Sequence, residues 1–77
     1  MLKMGENLMK VSYNKLWKLL IDRDMLRSDL RRTAGLSTNV IANMGKGKDV
    51  SIGALRKICE VLDCNISDVV EFVKDEA

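Results

Sequence analysis

An all-α fold follows from three observations on the 77-residue chain: proline is absent, the five glycines sit at positions 5, 35, 45, 47 and 53, and apolar residues recur at helical spacing between them. Tyr13, Leu16, Trp17 and Leu20 fall on one face of a first helix, with Lys15, Lys18 and Asp22 pointing away and Ser12 as its N-cap. Trp17, on that stripe, reads as a core residue. A second helix runs from Arg27 to Ala34, carried by Leu30 and Ala34; Gly35, free to turn left-handed, stops it, and Leu26 stands where a polar cap is expected. Ser37 caps a third, Thr38 to Met44, with Val40, Ile41 and Met44 on its apolar side and Thr38, Asn39 and Asn43 opposite.

Gly45 to Asp49 reads as a flexible loop. Ser51 caps a fourth helix through Ile52, Leu55, Ile58, Cys59 and Leu62, and Asp63 to Asn65 is a turn. A last segment begins at Ser67, where Val69, Val70, Phe72 and Val73 suggest a short helix running into a strand. Lys10, Val11 and Ser12 are extended in character as well, so short N- and C-terminal strands are able to pair. The parts are therefore a tail or short strand at 1–11, one domain at 12–73 and a tail at 74–77.

Composition narrows the function. With 47% apolar and 31% charged residues the chain has the means to build a core, and no apolar run is long enough to span a membrane. Histidine is absent, so no catalytic triad can be drawn, and no nucleophile stands beside a base; an enzyme is not expected. Cys59 and Cys64 alone do not complete a metal site and read as small buried apolar residues, and no cofactor or small-molecule ligand is expected. Met1 to Lys10 lacks the apolar stretch of a signal peptide, which points to the cytoplasm and reduced thiols. The net charge of +2 hides an asymmetry: ten basic and four acidic residues through Lys48, three basic and seven acidic after it. One half suits an anionic partner.

Two short helices joined by a Gly-containing turn form the arrangement that sets a second helix in the major groove of DNA. From Arg27 as first position, Leu30 is fourth, Gly35 ninth, Leu36 tenth, Ile41 fifteenth and Met44 eighteenth, which puts apolar groups where two steeply crossed helices touch. With Gly35-Leu36-Ser37, Gly47-Lys48 and the Leu55, Ile58, Leu62 series, the chain from Ser12 to Phe72 resembles the Cro/C1-type (XRE-like) helix-turn-helix regulators of bacteria and phages. The resemblance implies a five-helix, lambda-repressor-like DNA-binding domain. It places Thr38, Asn39 and Asn43 at base edges and Arg27 at a phosphate. Two departures stand out: Arg31 occupies a place often held by Ala, and Leu20 and Gly45 replace an Arg–Glu pair that ties the first helix to the end of the third.

Asparagine carboxamides pair with adenine N6 and N7 in the major groove, and a threonine methyl meets thymine; the plain alternative is a solvated face. Ser37, Lys46 and Lys48 are placed to hold phosphate, though lysines beside glycine also serve as turn solubilisers. The expected function is a sequence-specific regulator of transcription, a repressor, on an operator in double-stranded DNA. It would act as a homodimer through the apolar Val69 to Val73 segment. The alternative is a protein-binding adaptor or antitoxin on the same fold.

Overall fold

The computed structural model describes residues 8–75. The expectations placed on residues 1–7 and 76–77, the absent leader and the tail ends, lie outside that span. In chain order the elements are β1 (Met9–Ser12), α1 (Asn14–Asp22), α2 (Arg27–Ala34), α3 (Thr38–Gly45), α4 (Ile52–Leu62), a 3-10 turn (Ile66–Asp68) and β2 (Glu71–Lys74). The domain is mostly helical, with four α-helices where five were expected, and a two-stranded sheet.

The missing fifth helix has a local cause. After Asp68 come Val69, Val70, Phe72 and Val73, whose branched or aromatic side chains favour extended backbone. β2 pairs antiparallel with β1 in the register Met9 with Lys74, Lys10 with Val73, Val11 with Phe72 and Ser12 with Glu71. A helix there would forfeit that ladder. Only a single 3-10 turn forms, closed by Asp68, whose carboxylate accepts the Asn65 N–H at 3.2 Å. Opposite residues share a face of the sheet, so Val11 and Phe72 lie on one side and Lys10, Ser12, Glu71 and Val73 on the other.

The core is a single cluster in which Leu16, Leu30, Ile58 and Val69 have no exposed surface, joined by Tyr13, Leu20, Leu36, Met44 and Leu62. Every helix contributes to it at the spacing its sequence shows. Ser12 ends β1 instead of capping α1: Tyr13 is the boundary residue, and the Ser12 hydroxyl accepts the Asn14 N–H at 3.3 Å. The Ser51 hydroxyl caps α4 as expected, accepting the Ala54 N–H at 3.1 Å. At the far end of α4 the Arg23 guanidinium donates to the Leu62 carbonyl, a cation placed at the negative end of the helix.

Cys59 and Cys64 are free thiols, half-buried against the core where full burial was expected. Burial, and then the neighbouring Cys59 sulfur, push the Cys64 thiol above its ordinary range. Among the described residues no helix is long and apolar enough to cross a membrane, and no three potential metal ligands gather.

Candidate nucleic-acid interface

The interface is built on α2 and α3. Leu26 offers no acceptor at the start of α2, and the missing cap is supplied from inside the helix: the Asp29 carboxylate accepts the Leu26 N–H at 2.9 Å. That hydrogen bond first, and Arg32 beside it, hold the Asp29 carboxyl below its ordinary range. Arg32 is thereby engaged in an ion pair with Asp29. At the other end Gly35 takes φ 69° and ψ 35°, which only glycine adopts without cost. The Leu36 N–H then closes on the Arg31 carbonyl at 2.9 Å and turns the buried Leu36 into the core. This closure sets the crossing of α3 over α2.

The Ser37 hydroxyl oxygen accepts the Val40 N–H at 3.2 Å and so caps α3, which leaves its own hydrogen free to donate outward. Met44 is buried, Val40 and Ile41 are half-buried, and Thr38 and Asn39 are exposed. Asn43 is half-buried. At 100° per residue Thr38, Asn39 and Asn43 span an arc of about 140° opposite Met44. Ala42 falls inside the same arc and is exposed, a position the sequence reading missed because alanine carries no polar signal. Its methyl is suited to a thymine methyl.

The run after α3 is not the loose loop its glycines suggest. The Lys46 N–H reaches the Asn43 carbonyl at 3.1 Å, the Gly47 N–H the Met44 carbonyl at 3.0 Å and the Lys48 N–H the Asn43 carbonyl at 2.9 Å. Gly47 permits this with φ 73°. The Tyr13 hydroxyl, carried just before α1, donates to the Lys48 carbonyl at 2.8 Å and pins the far side. Both lysines are exposed on this anchored turn.

Tyr13 itself is buried, and that burial, with Asp49 nearby, raises its phenol above its ordinary value of 10.0. The folded state therefore holds the phenolic proton more tightly than the unfolded chain, so stability is full below pH 10 and falls as pH climbs past it. Replacing Tyr13 with Phe is expected to cost about 1 kcal/mol of stability in urea melts, because one intramolecular hydrogen bond is lost. It should also flatten this alkaline decline; a variant as stable as the parent would show that the tether carries no energy.

Arg27, at the first position of α2, is exposed, and its guanidinium carbon lies 3.8 Å from the centroid of the Trp17 ring. Trp17 is half-buried, packed against the core with the arginine over its ring, rather than wholly interior. Arg31 is half-buried as well. Among the described residues none of Arg27, Lys46 and Lys48 belongs to an ion pair, whereas Lys15, Arg32 and Arg56 are matched with Glu71, Asp29 and Glu60. Arg27, Lys46 and Lys48 thus gather at the C-terminal end of α3.

A helix-turn-helix whose second helix turns a short-chain polar face outward, with cations that have no acidic partner at its C-terminal end, defines a DNA-binding protein. Residues 15–75 match the family of the Cro/C1-type HTH DNA-binding domain, and the chain belongs to that family. It is also similar to a solved structure, the crystal structure of transcriptional regulator VanUg, Form II, with 44% sequence identity and a TM-score of 0.86. The likeness covers 97% of this chain and 100% of that one. No curated protein matches the chain.

Proposed function

We propose that the protein is a repressor of transcription that binds an operator in duplex DNA as a homodimer. Thr38, Asn39 and Asn43 read base edges, with Ala42 beside them. Arg27, Ser37, Lys46 and Lys48 hold the backbone. The observation that carries this reading is the exposed polar arc of α3 bordered by cations that have no acidic partner among the described residues. Phosphate contacts position the domain and supply most of its affinity, while the side chains of α3 supply the choice of sequence. The 44% identity to a transcriptional regulator supports a role in the regulation of transcription.

For the dimer, the stretch Val69 to Val73 divides into two parts. Val69 is fully buried and serves the core, while Phe72 is 68% exposed and Val70 half-exposed. Together with Val50, Ile52 and Ile66 they line a shallow apolar groove on the side of β2 that carries Val11. Contiguous apolar surface of this kind marks an interaction site, and a two-fold arrangement would set two copies of α3 about one helical turn of DNA apart.

Selecting bound duplexes from a randomised pool tests the proposal. A palindromic consensus is expected, and it would report specificity and two-fold symmetry together. Enrichment of a single unrepeated half-site would remove the dimer. Absence of any enrichment would favour a protein-binding adaptor or antitoxin role for the fold.

A further inference from the structure

The place where the family often joins the first helix to the end of the third by an Arg–Glu pair holds Leu20 and Gly45 here, yet the junction is occupied. Its cation comes from α2. The Arg27 guanidinium carbon lies over the ring of Trp17 of α1, 3.8 Å from its centroid, and one of its terminal nitrogens stands 3.4 Å from the point where a Gly45 side chain would begin. Gly45 is the last residue of α3, so the guanidinium stands beside the negative end of that helix. A cation at the first position of α2 is unfavourable toward its own helix, and the neighbouring end of α3 and the ring face of Trp17 offset this.

The chemistry of guanidinium makes the arrangement specific. Stacking uses its face and leaves the N–H groups, all in the plane, free at the edge. Gly45 adds no side chain that would cover that edge. Among the described residues no carboxylate takes it either.

We propose that Trp17 is a positioning residue for DNA: its indole face holds Arg27 flat between α1 and the end of α3, so that the guanidinium edge meets a backbone phosphate without first being ordered. The inference rests on the DNA-binding reading above. Trp17 contacts no DNA in this arrangement; it acts through Arg27. The same stack ties the start of α2 to α1 and holds the guanidinium beside the end of α3.

The test uses the full chain, a duplex of about two helical turns and a potassium chloride series, since the slope of log K against log salt counts phosphate contacts. Arg27→Ala should lower affinity and reduce the magnitude of the slope by about one. Trp17→Leu, which keeps apolar volume but removes the ring, should lower affinity about three- to tenfold with a similar loss of slope. Trp17→Phe should restore most of both, and the Trp17→Leu/Arg27→Ala pair should bind no worse than Arg27→Ala alone.

A Trp17→Leu protein that is folded by circular dichroism and keeps the parent slope overturns the proposal, as does additivity in the double variant. Trp17 is also the single tryptophan of the chain, so its emission reports the stack directly. Should Trp17→Leu not fold, the Arg27→Ala protein decides: its tryptophan emission should no longer respond to the duplex as the parent's does, and an unchanged response overturns the proposal. A parent protein without salt-dependent association would overturn the DNA reading itself, and this inference with it. Parental binding with an indifferent Trp17 would overturn this inference alone.

Discussion

Truncating Ile58 to Ala is expected to leave the protein largely unfolded at room temperature, with the helical circular dichroism signal lost and no cooperative urea transition. Ile58 is fully buried in α4, the helix that underlies α2, and it shares one cluster with Leu16, Leu30 and Val69. Ile-to-Ala in such a site costs about 2–5 kcal/mol, the lost transfer energy plus the cavity left behind. A single core of this size supplies roughly 3–5 kcal/mol in all, so one truncation consumes most of it. Ile58→Val removes one methylene, costs about 0.5–1.5 kcal/mol and should preserve a shifted but cooperative melt. An Ile58→Ala protein with the parent midpoint would show that α4 is not the keystone of the core.

Replacing Asn39 with Ala is expected to weaken binding to the selected duplex by about ten- to hundredfold, the equivalent of roughly 1–3 kcal/mol for one bidentate base contact. Asn39 is exposed on α3 next to the Ser37 cap, where its removal disturbs neither the core nor the capping hydrogen bond. The melting temperature should therefore stay close to the parent's, and the salt slope should stay unchanged because no phosphate contact is lost. Preference at one base pair should relax. A fall in affinity that is the same for every duplex would assign Asn39 to the backbone, and parental discrimination at each position would remove it from the reading face.

Asn39 also shows what kind of information the sequence holds. Its place opposite Met44 follows from 3.6 residues per turn, and the same rule correctly separates Val40 and Ile41 from Thr38. Ala42, on the same arc, was invisible because its side chain has no functional group to notice. The Gly45 to Asp49 run differs from its sequence expectation for another reason. Glycine signals freedom in isolation, but here three backbone N–H groups and the Tyr13 hydroxyl, thirty-five residues away from Lys48, remove that freedom. The apolar stripe of α1 points Trp17 to the interior but cannot reveal that Arg27 lies over its ring.

The terminal segment follows the same pattern. Val69 to Val73 is apolar throughout, which read as helix, strand and dimer contact at once. Between helix and strand the fold divides it: Val69 follows the 3-10 turn with helical backbone angles and is buried in the core, whereas β1 pairs only with Glu71–Lys74, where neighbouring Phe72 and Val73 point to opposite faces and Phe72 stays exposed.

By itself the sequence determined the helix-turn-helix, its caps at Ser37 and Ser51, the left-handed turn at Gly35 and the polar face of α3, since each depends on residues within a few positions of one another. The tertiary structure alone decided the register in which the two terminal strands pair, that the turn after α3 is anchored, and that Arg27 from α2 stands between Trp17 of α1 and the end of α3. Those outcomes depend on partners distant in the chain, whose meeting no local periodicity encodes.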